Sequence, residues 1–198
     1  MPLPQKSAMS PELAEYAAID FESSGFGDGG QDAPIQLGIA VMRGGEISPE
    51  DHFRTYIQPS PPRPISNAAR AVHRISDADL DGAPDLMALW PEIRSRLRGR
   101  IVVAHGAGTE KRFLRAFPLH GFNRWVDTLG LARQMFPDLP NHSLGELIRK
   151  LGQEETLTEI CPDLTWHDAL FDAAASLVLL RELLNRGRFS EIAEVLST

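Results

Sequence analysis

The sequence predicts a single α/β domain with helices packed around a mixed sheet, and three observations carry that prediction. Near the N-terminus a two-residue alternation marks strands, with a glycine turn between two of them. From residue 85 onward helical and strand-like stretches follow one another, as layered α/β folds require. Towards the C-terminus a stripe of Leu and Ala at helical spacing marks a helix whose small side chains allow close approach to a sheet. The 198 residues, 42% hydrophobic and 24% charged, are enough to bury a sizeable core. No internal repeat appears and no linker separates two hydrophobic halves, so one domain is the economical arrangement.

Residues 1–12, where Pro, Ser and Lys dominate, read as a flexible lead-in to a domain spanning 13–198. The first strand covers Tyr16–Glu22, with Ala17, Ile19 and Phe21 on one face and Ala18, Asp20 and Glu22 on the other. Residues 23–30 are too glycine-rich for a regular element and read as a flexible connection. Ile35–Met42 and Glu46–Ile57 flank Arg43-Gly44-Gly45 and form a hairpin, giving three antiparallel strands at the start. Prolines 59, 61, 62 and 64 end the last of these, and a mixed region through Pro84 holds one or two short helices. A helix over Asp85–Leu97 precedes a buried strand, Ile101–Ala104. Then come a helix over Thr109–Phe117, a short strand over Trp125–Asp127, and helices over Thr128–Met135, Ser143–Leu151 and Asp168–Leu184.

An excess of 27 acidic over 20 basic side chains gives a net charge of −7, so any attraction to polyphosphate must be local. A single cysteine, Cys161, excludes an intramolecular disulfide and a cysteine-rich zinc cage, and points to a reducing compartment. No run approaches the ~18 apolar residues of a membrane span, and the N-terminus lacks the apolar core of a secretory signal. A cytoplasmic protein with no membrane partner is expected.

Two carboxylates on one face of a strand, Asp20 and Glu22, are unfavourable there unless a cation joins them or the strand end is solvated. His167 and Asp172 stand five positions apart at the start of the last long helix. On one helix they would point roughly 140° apart. With His167 in the preceding loop and Asp172 in the first turns, both can reach one site.

These stretches carry a family resemblance. Ala18-Ile19-Asp20-Phe21-Glu22-Ser23-Ser24-Gly25 resembles the first motif of the DEDDh 3′-to-5′ exonucleases, hydrophobic-Asp-Phe-Glu-Thr-Thr-Gly, with serines for threonines. His167-Asp168-Ala169-Leu170-Phe171-Asp172-Ala173 matches the third motif, His-x-Ala-x-x-Asp-Ala, at every fixed position. Between them, residues 103–114 are similar to the second motif, but Gly106 stands for its asparagine, Thr109 for its phenylalanine and Glu110 for its aspartate. Ala71-Val72-His73-Arg74-Ile75-Ser76 and Val126-Asp127-Thr128 are similar to two further family stretches.

The resemblance implies a ribonuclease H-like mixed β-sheet flanked by α-helices. It also implies a metal-dependent 3′-to-5′ exonuclease that releases nucleoside monophosphates from single-stranded DNA or RNA. Asp20, Glu22, Glu110 and Asp172 would hold two ions, Mg²⁺ or Mn²⁺, and His167 would be the general base. Backbone around Ser23, Ser24 and Gly25 would lie beside the terminal nucleotide. Phe26 or Phe21 would stack on bases, unless either belongs to the core. Glu110 is alternatively a solvated acid in a first helical turn. Lys111, Arg112 and Arg115 are candidate phosphate contacts, whereas Arg94, Arg96, Arg98 and Arg100 fit a solvated helix C-terminus better. The sequence ends soon after the third motif's helix, so a standalone enzyme or a small subunit is expected. The competing function is a nucleic-acid-binding module of the same fold with weakened chemistry. DNA or RNA preference, and a polymerase or homo-oligomer partner, are not legible.

Overall fold

The computed structural model describes residues 10–26 and 32–197. Most of the expected lead-in, residues 1–9, and the glycine-rich residues 27–31 lie outside them. Pro11–Leu13 form a 3-10 turn, and Pro11 is anchored because its carbonyl accepts from the Tyr16 hydroxyl at 2.7 Å.

Six strands form one mixed sheet: β1 (Glu15–Ser23), β2 (Pro34–Arg43), β3 (Glu46–Ile47), β4 (Phe53–Tyr56), β5 (Ile101–Ala104) and β6 (Trp125–Asp127). Along the sheet the order is β3-β2-β1-β5-β6, with β4 also on the outer edge of β2. The β1–β2, β2–β3 and β2–β4 pairs are antiparallel, while β1–β5 and β5–β6 are parallel. Strand alternation sets the two core layers. Tyr16 and Ala18 face one cluster and Ala17, Ile19 and Phe21 the other, so both faces of β1 are covered.

Seven α-helices flank the sheet among the described residues: α1 (Asn67–His73), α2 (Trp90–Leu97), α3 (Gly108–Leu114), α4 (Thr128–Met135), α5 (Leu144–Lys150), α6 (Glu154–Ile160) and α7 (Ala169–Arg186). α2 and α3 supply Ile93, Leu97, Phe113 and Leu114 to one face. On the other, α7 buries Ala173, Ala174, Leu177, Leu180 and Leu184 of its predicted stripe, backed by α4, α5 and α6.

Three expected elements differ, each for a local reason. The strand expected over Glu46–Ile57 is two strands on the same edge of β2, separated by a 3-10 turn at Pro49–Asp51. Pro49 has no amide proton for the ladder and opens that turn. The helix expected over Asp85–Leu97 is a 3-10 turn at Met87–Leu89 followed by α2, because Pro91 fits only a first helical turn. The helix expected to reach Phe117 is α3, which ends at Leu114 and continues as 3-10-like turns through Phe117. The short helix α6 and the 3-10 turn at Ile192–Glu194 are additions.

The seat of α7 on the sheet decides where the site forms. Gly38 of β2 lies directly under the first turn of α7, and a Cβ there would come within 2.1–2.2 Å of the Ala169 carbonyl and the Leu170 nitrogen. Backbone is what it would strike, so the helix would have to lift. Gly38→Ala is therefore expected to cost about 1–3 kcal/mol and to lower the melting temperature by several degrees. An unchanged thermal transition would show that the helix is not seated on this glycine.

Candidate active site

β1 delivers the first two acids. Asp20 and Glu22 follow Ala18 on the face that packs against α7 and are half-buried beside that helix. Asp172 lies in that turn, and His167 precedes the helix. Single ligand atoms of Glu22, His167 and Asp172 fall within 4.8 Å of one another. Asp20 is not one of these three, but it feels them: burial first, then Glu110, Asp172, Glu22 and Asp168, hold its carboxyl well above the usual carboxylate range.

The same causes act throughout the cluster. Burial, followed by repulsion from Asp172, Asp168 and Glu110, pushes Glu22 up to about 8. Burial pushes Asp172 up to about 7 against the pull of the His167 backbone N–H. Glu110 is not a solvated acid: it is 5% exposed, and burial with Asp127 nearby raises it to about 7 against its own backbone N–H and Arg112. Among the described residues, Asp172 Oδ1 is buried with no hydrogen-bond partner. Clustered hard oxygen donors that repel one another and leave a buried lone pair unused are a fitting host for a divalent cation.

His167 is exposed and adopts φ +68, a left-handed conformation that costs a non-glycine residue roughly 1–2 kcal/mol. Its neighbour Asp168 caps α7, with Oδ1 accepting from Leu170 N–H at 3.1 Å. Oδ2 of Asp168 accepts from Gln36 Nε2 at 3.1 Å and Arg54 Nε at 2.6 Å. Gln36 Oε1 in turn accepts from Ala169 N–H at 2.8 Å.

The segment expected to be a flexible connection is ordered at its start. Ser23 ends β1, and Ser24, 1% exposed, donates its backbone N–H to the Ala33 carbonyl and accepts from Ser66 N–H, both at 2.8 Å. Gly25 turns at φ +71, a Cβ there would meet Ser66 Oγ at 2.5 Å, and its N–H donates to Asp32 Oδ1 at 2.9 Å. The chain then projects Phe26, 73% exposed, whereas Phe21 is core. Arg112 pairs with Asp32 and lies over the rings of Phe26 and Phe113, at 5.6 and 4.5 Å. Lys111 lies over Trp125 at 5.3 Å. Of the second basic run, Arg96 pairs with Glu92 and Arg100 with Glu15.

The second motif's departures are partly explained by its backbone. Gly106 sits at φ +83, a conformation asparagine and glycine both tolerate, so the exchange keeps the turn. Asp127 clamps that turn, accepting from the N–H groups of Gly106 at 2.8 Å and Ala107 at 3.3 Å as well as from Leu129 at 3.0 Å. Sequence reasoning left Gln36, Arg54, Asp168 and His73 outside the site. His73 Nδ1 accepts from Ile75 N–H, so Nε2 carries the proton and donates to the Ser23 carbonyl at 3.2 Å. Gln36 had one visible sign, a lone amide in the apolar run from Ile35 to Met42.

A family model described as RNase_T, Exonuclease, matches residues 17–180. The chain is 30% identical over 179 residues to the PolC-type DNA polymerase III of Bacillus cereus, covering 87% of this chain and 12% of that protein. It is 30% identical over 176 residues to the DNA polymerase III subunit epsilon-like protein of Rhodobacter capsulatus, covering 87% of this chain and 24% of the relative. The chain thus spans about an eighth to a quarter of the length of these relatives. Among solved structures, Exonuclease X in complex with 5′ overhanging duplex DNA has a TM-score of 0.72 at 24% identity, covering 91% of this chain and 98% of that one. The nuclease domain of 3′hExo, a DEDDh family member bound to rAMP, has a TM-score of 0.71 at 16% identity, covering 90% and 96%. Both share the ribonuclease H-like fold described above. No described helix is long and apolar enough to cross a membrane.

Proposed function

Since the chain belongs to the RNase_T exonuclease family, we propose that it removes nucleoside monophosphates from the 3′ end of single-stranded DNA or RNA. Asp20, Glu22, Glu110 and Asp172 are the groups that would hold two Mg²⁺ or Mn²⁺ ions. The observation that carries this is the convergence of Glu22, His167 and Asp172, one of whose carboxylate oxygens, Asp172 Oδ1, is buried with no hydrogen-bond partner among the described residues. It favours an enzyme over a binding module, which has no need of an imidazole beside clustered acids.

When bound, divalent cations supply charge relief on the phosphate oxygens and lower the pKa of attacking water. His167 is the group that would take a proton from the attacking water, because its ring is exposed beside Glu22 and Asp172 and imidazole is the side chain most often used for such a transfer. Ser24 and Gly25, fixed against α1 and Asp32, give the terminal nucleotide a rigid backbone wall. Phe26 offers an exposed π-face to a base, which accepts any base and favours unpaired strands. Glu110, buried in α3 and one methylene longer than aspartate, is outside that trio, but its charge is felt at Asp20 and Glu22, which supports a place beside them.

The test uses matched 5′-labelled single-stranded RNA and DNA oligomers, incubated with Mg²⁺ or Mn²⁺ and with a chelator as control. Stepwise shortening from the 3′ end with release of mononucleotides is expected. Pure, folded protein that shortens neither substrate would refute the proposal.

A further inference from the structure

We infer that Gln36, assisted by Arg54, is a positioning residue for His167, a role that rests on the proposed use of His167 as the base. Gln36 is 1% exposed in a strand otherwise apolar from Ile35 to Met42, and it stands opposite Glu22 in the β1–β2 register. Its amide holds the two residues that follow His167. Oε1 accepts from Ala169 N–H at 2.8 Å, and Nε2 donates to Asp168 Oδ2 at 3.1 Å. The opposite amide orientation would set donor against donor and acceptor against acceptor, so the surroundings fix it.

Arg54 completes the bracket from β4. It stands opposite Gly38 in the register and donates to the same Asp168 oxygen at 2.6 Å. Gly38 lets the first turn of α7 rest on β2 backbone, so the turn has no freedom to slide without breaking these bonds. His167 therefore leaves a clamped dipeptide, Asp168-Ala169, in a left-handed conformation it would not hold by preference. The sheet sets the position of the imidazole through Gln36 and Arg54, which line the same cleft as His167 and bind the residue that follows it.

Gln36→Glu tests this with little change of shape. Glutamate keeps an acceptor for Ala169 but faces the Asp168 carboxylate with a second one. Arg54→Gln removes the outer half of the bracket at a more exposed position and serves should the buried variant fail to fold. For Gln36→Glu, kcat is expected to fall about 10–100-fold with KM changed less than about twofold, and for Arg54→Gln by a smaller factor in the same direction. In a His167→Ala background both substitutions are expected to leave the residual rate unchanged, because a group acting through the imidazole has nothing left to position. The same factor lost in both backgrounds, a loss confined to KM, or no loss from either substitution would overturn the inference. A readout independent of turnover is the NMR amide signal of His167. It is expected to shift or broaden in the folded variant while that of His105 stays in place, and an unmoved His167 signal overturns the inference. Should the native protein release no nucleotides, the proposed function fails and the NMR comparison still decides whether Gln36 positions the histidine.

Discussion

Replacing Asp172 by asparagine is expected to abolish mononucleotide release, by a factor of about 10³ or more, and to leave the fold intact. The substitution changes one buried atom and hardly any volume. Asp172 Oδ1 has no hydrogen-bond partner among the described residues, so no hydrogen bond seen at that oxygen is lost when its charge is removed. Catalysis is different. Removing one preorganised group that stabilises transition-state charge typically costs 10²–10³ in rate, and a carboxylate that holds a cation carries both binding and charge. Asp20→Asn should behave alike, since Asp20 feels Glu110, Asp172, Glu22 and Asp168 together. His167→Ala should lower kcat strongly with little loss of cation binding, as the imidazole works on the proton. Turnover and circular dichroism, measured on each variant side by side, separate these effects from unfolding. Asparagine at 172 with activity within tenfold of the native chain would remove this acid from the site.

How much of this was legible in the sequence depends on the distance over which each feature is determined. Asp20 and Glu22 share a face because strand alternation is local, and the loop position of His167 follows from a helix that starts with the Asp168 cap. The stripe on α7 predicted its packing for the same reason. What could not be read was set by contacts between distant segments. Whether Glu110 is solvated or buried depends on how α3 packs beside β1. The bracket around Asp168 joins residues 132 and 114 positions apart in sequence, and no local pattern encodes such a meeting. The proline breaks at 49 and 91 were visible, and they are local chemistry that longer periodic patterns obscured.

The acid cluster also predicts how stability responds to pH and cations. Glu22, Glu110 and Asp172 are raised to about 8, 7 and 7, and Asp20 well above its usual range. The native state therefore keeps protons that the unfolded chain releases above pH ~4. Stability from these groups is fully present below the unfolded pKa and is lost as pH rises through about 7 to 8. Other groups act in the opposite sense or elsewhere. Burial lowers His52, His73, His105 and His120, which favours the native state as pH rises through ~6.5. Burial raises the Cys161 thiol to about 11, which acts only above pH ~8.5. The comparison that isolates the cluster is between the native chain and the Asp20→Asn, Glu22→Gln double variant, in which those contributions cancel. Without divalent ions, the variant is expected to be the more stable of the two at pH 8, by about 5–10 °C in melting temperature, given ~2–4 °C per kcal/mol at this chain length. At pH 5 the difference should be much smaller, because little of the proton release from the unfolded chain has yet been felt. Millimolar Mg²⁺ or Mn²⁺ should raise the native transition far more at pH 8 than at pH 5, because a cation binds the charged carboxylates and must displace protons at the lower pH. It should leave the variant almost unmoved. A native chain as stable as the variant at pH 8 without cations, or equally stabilised by them at both pH values, would mean that these carboxylates do not repel one another in the folded protein.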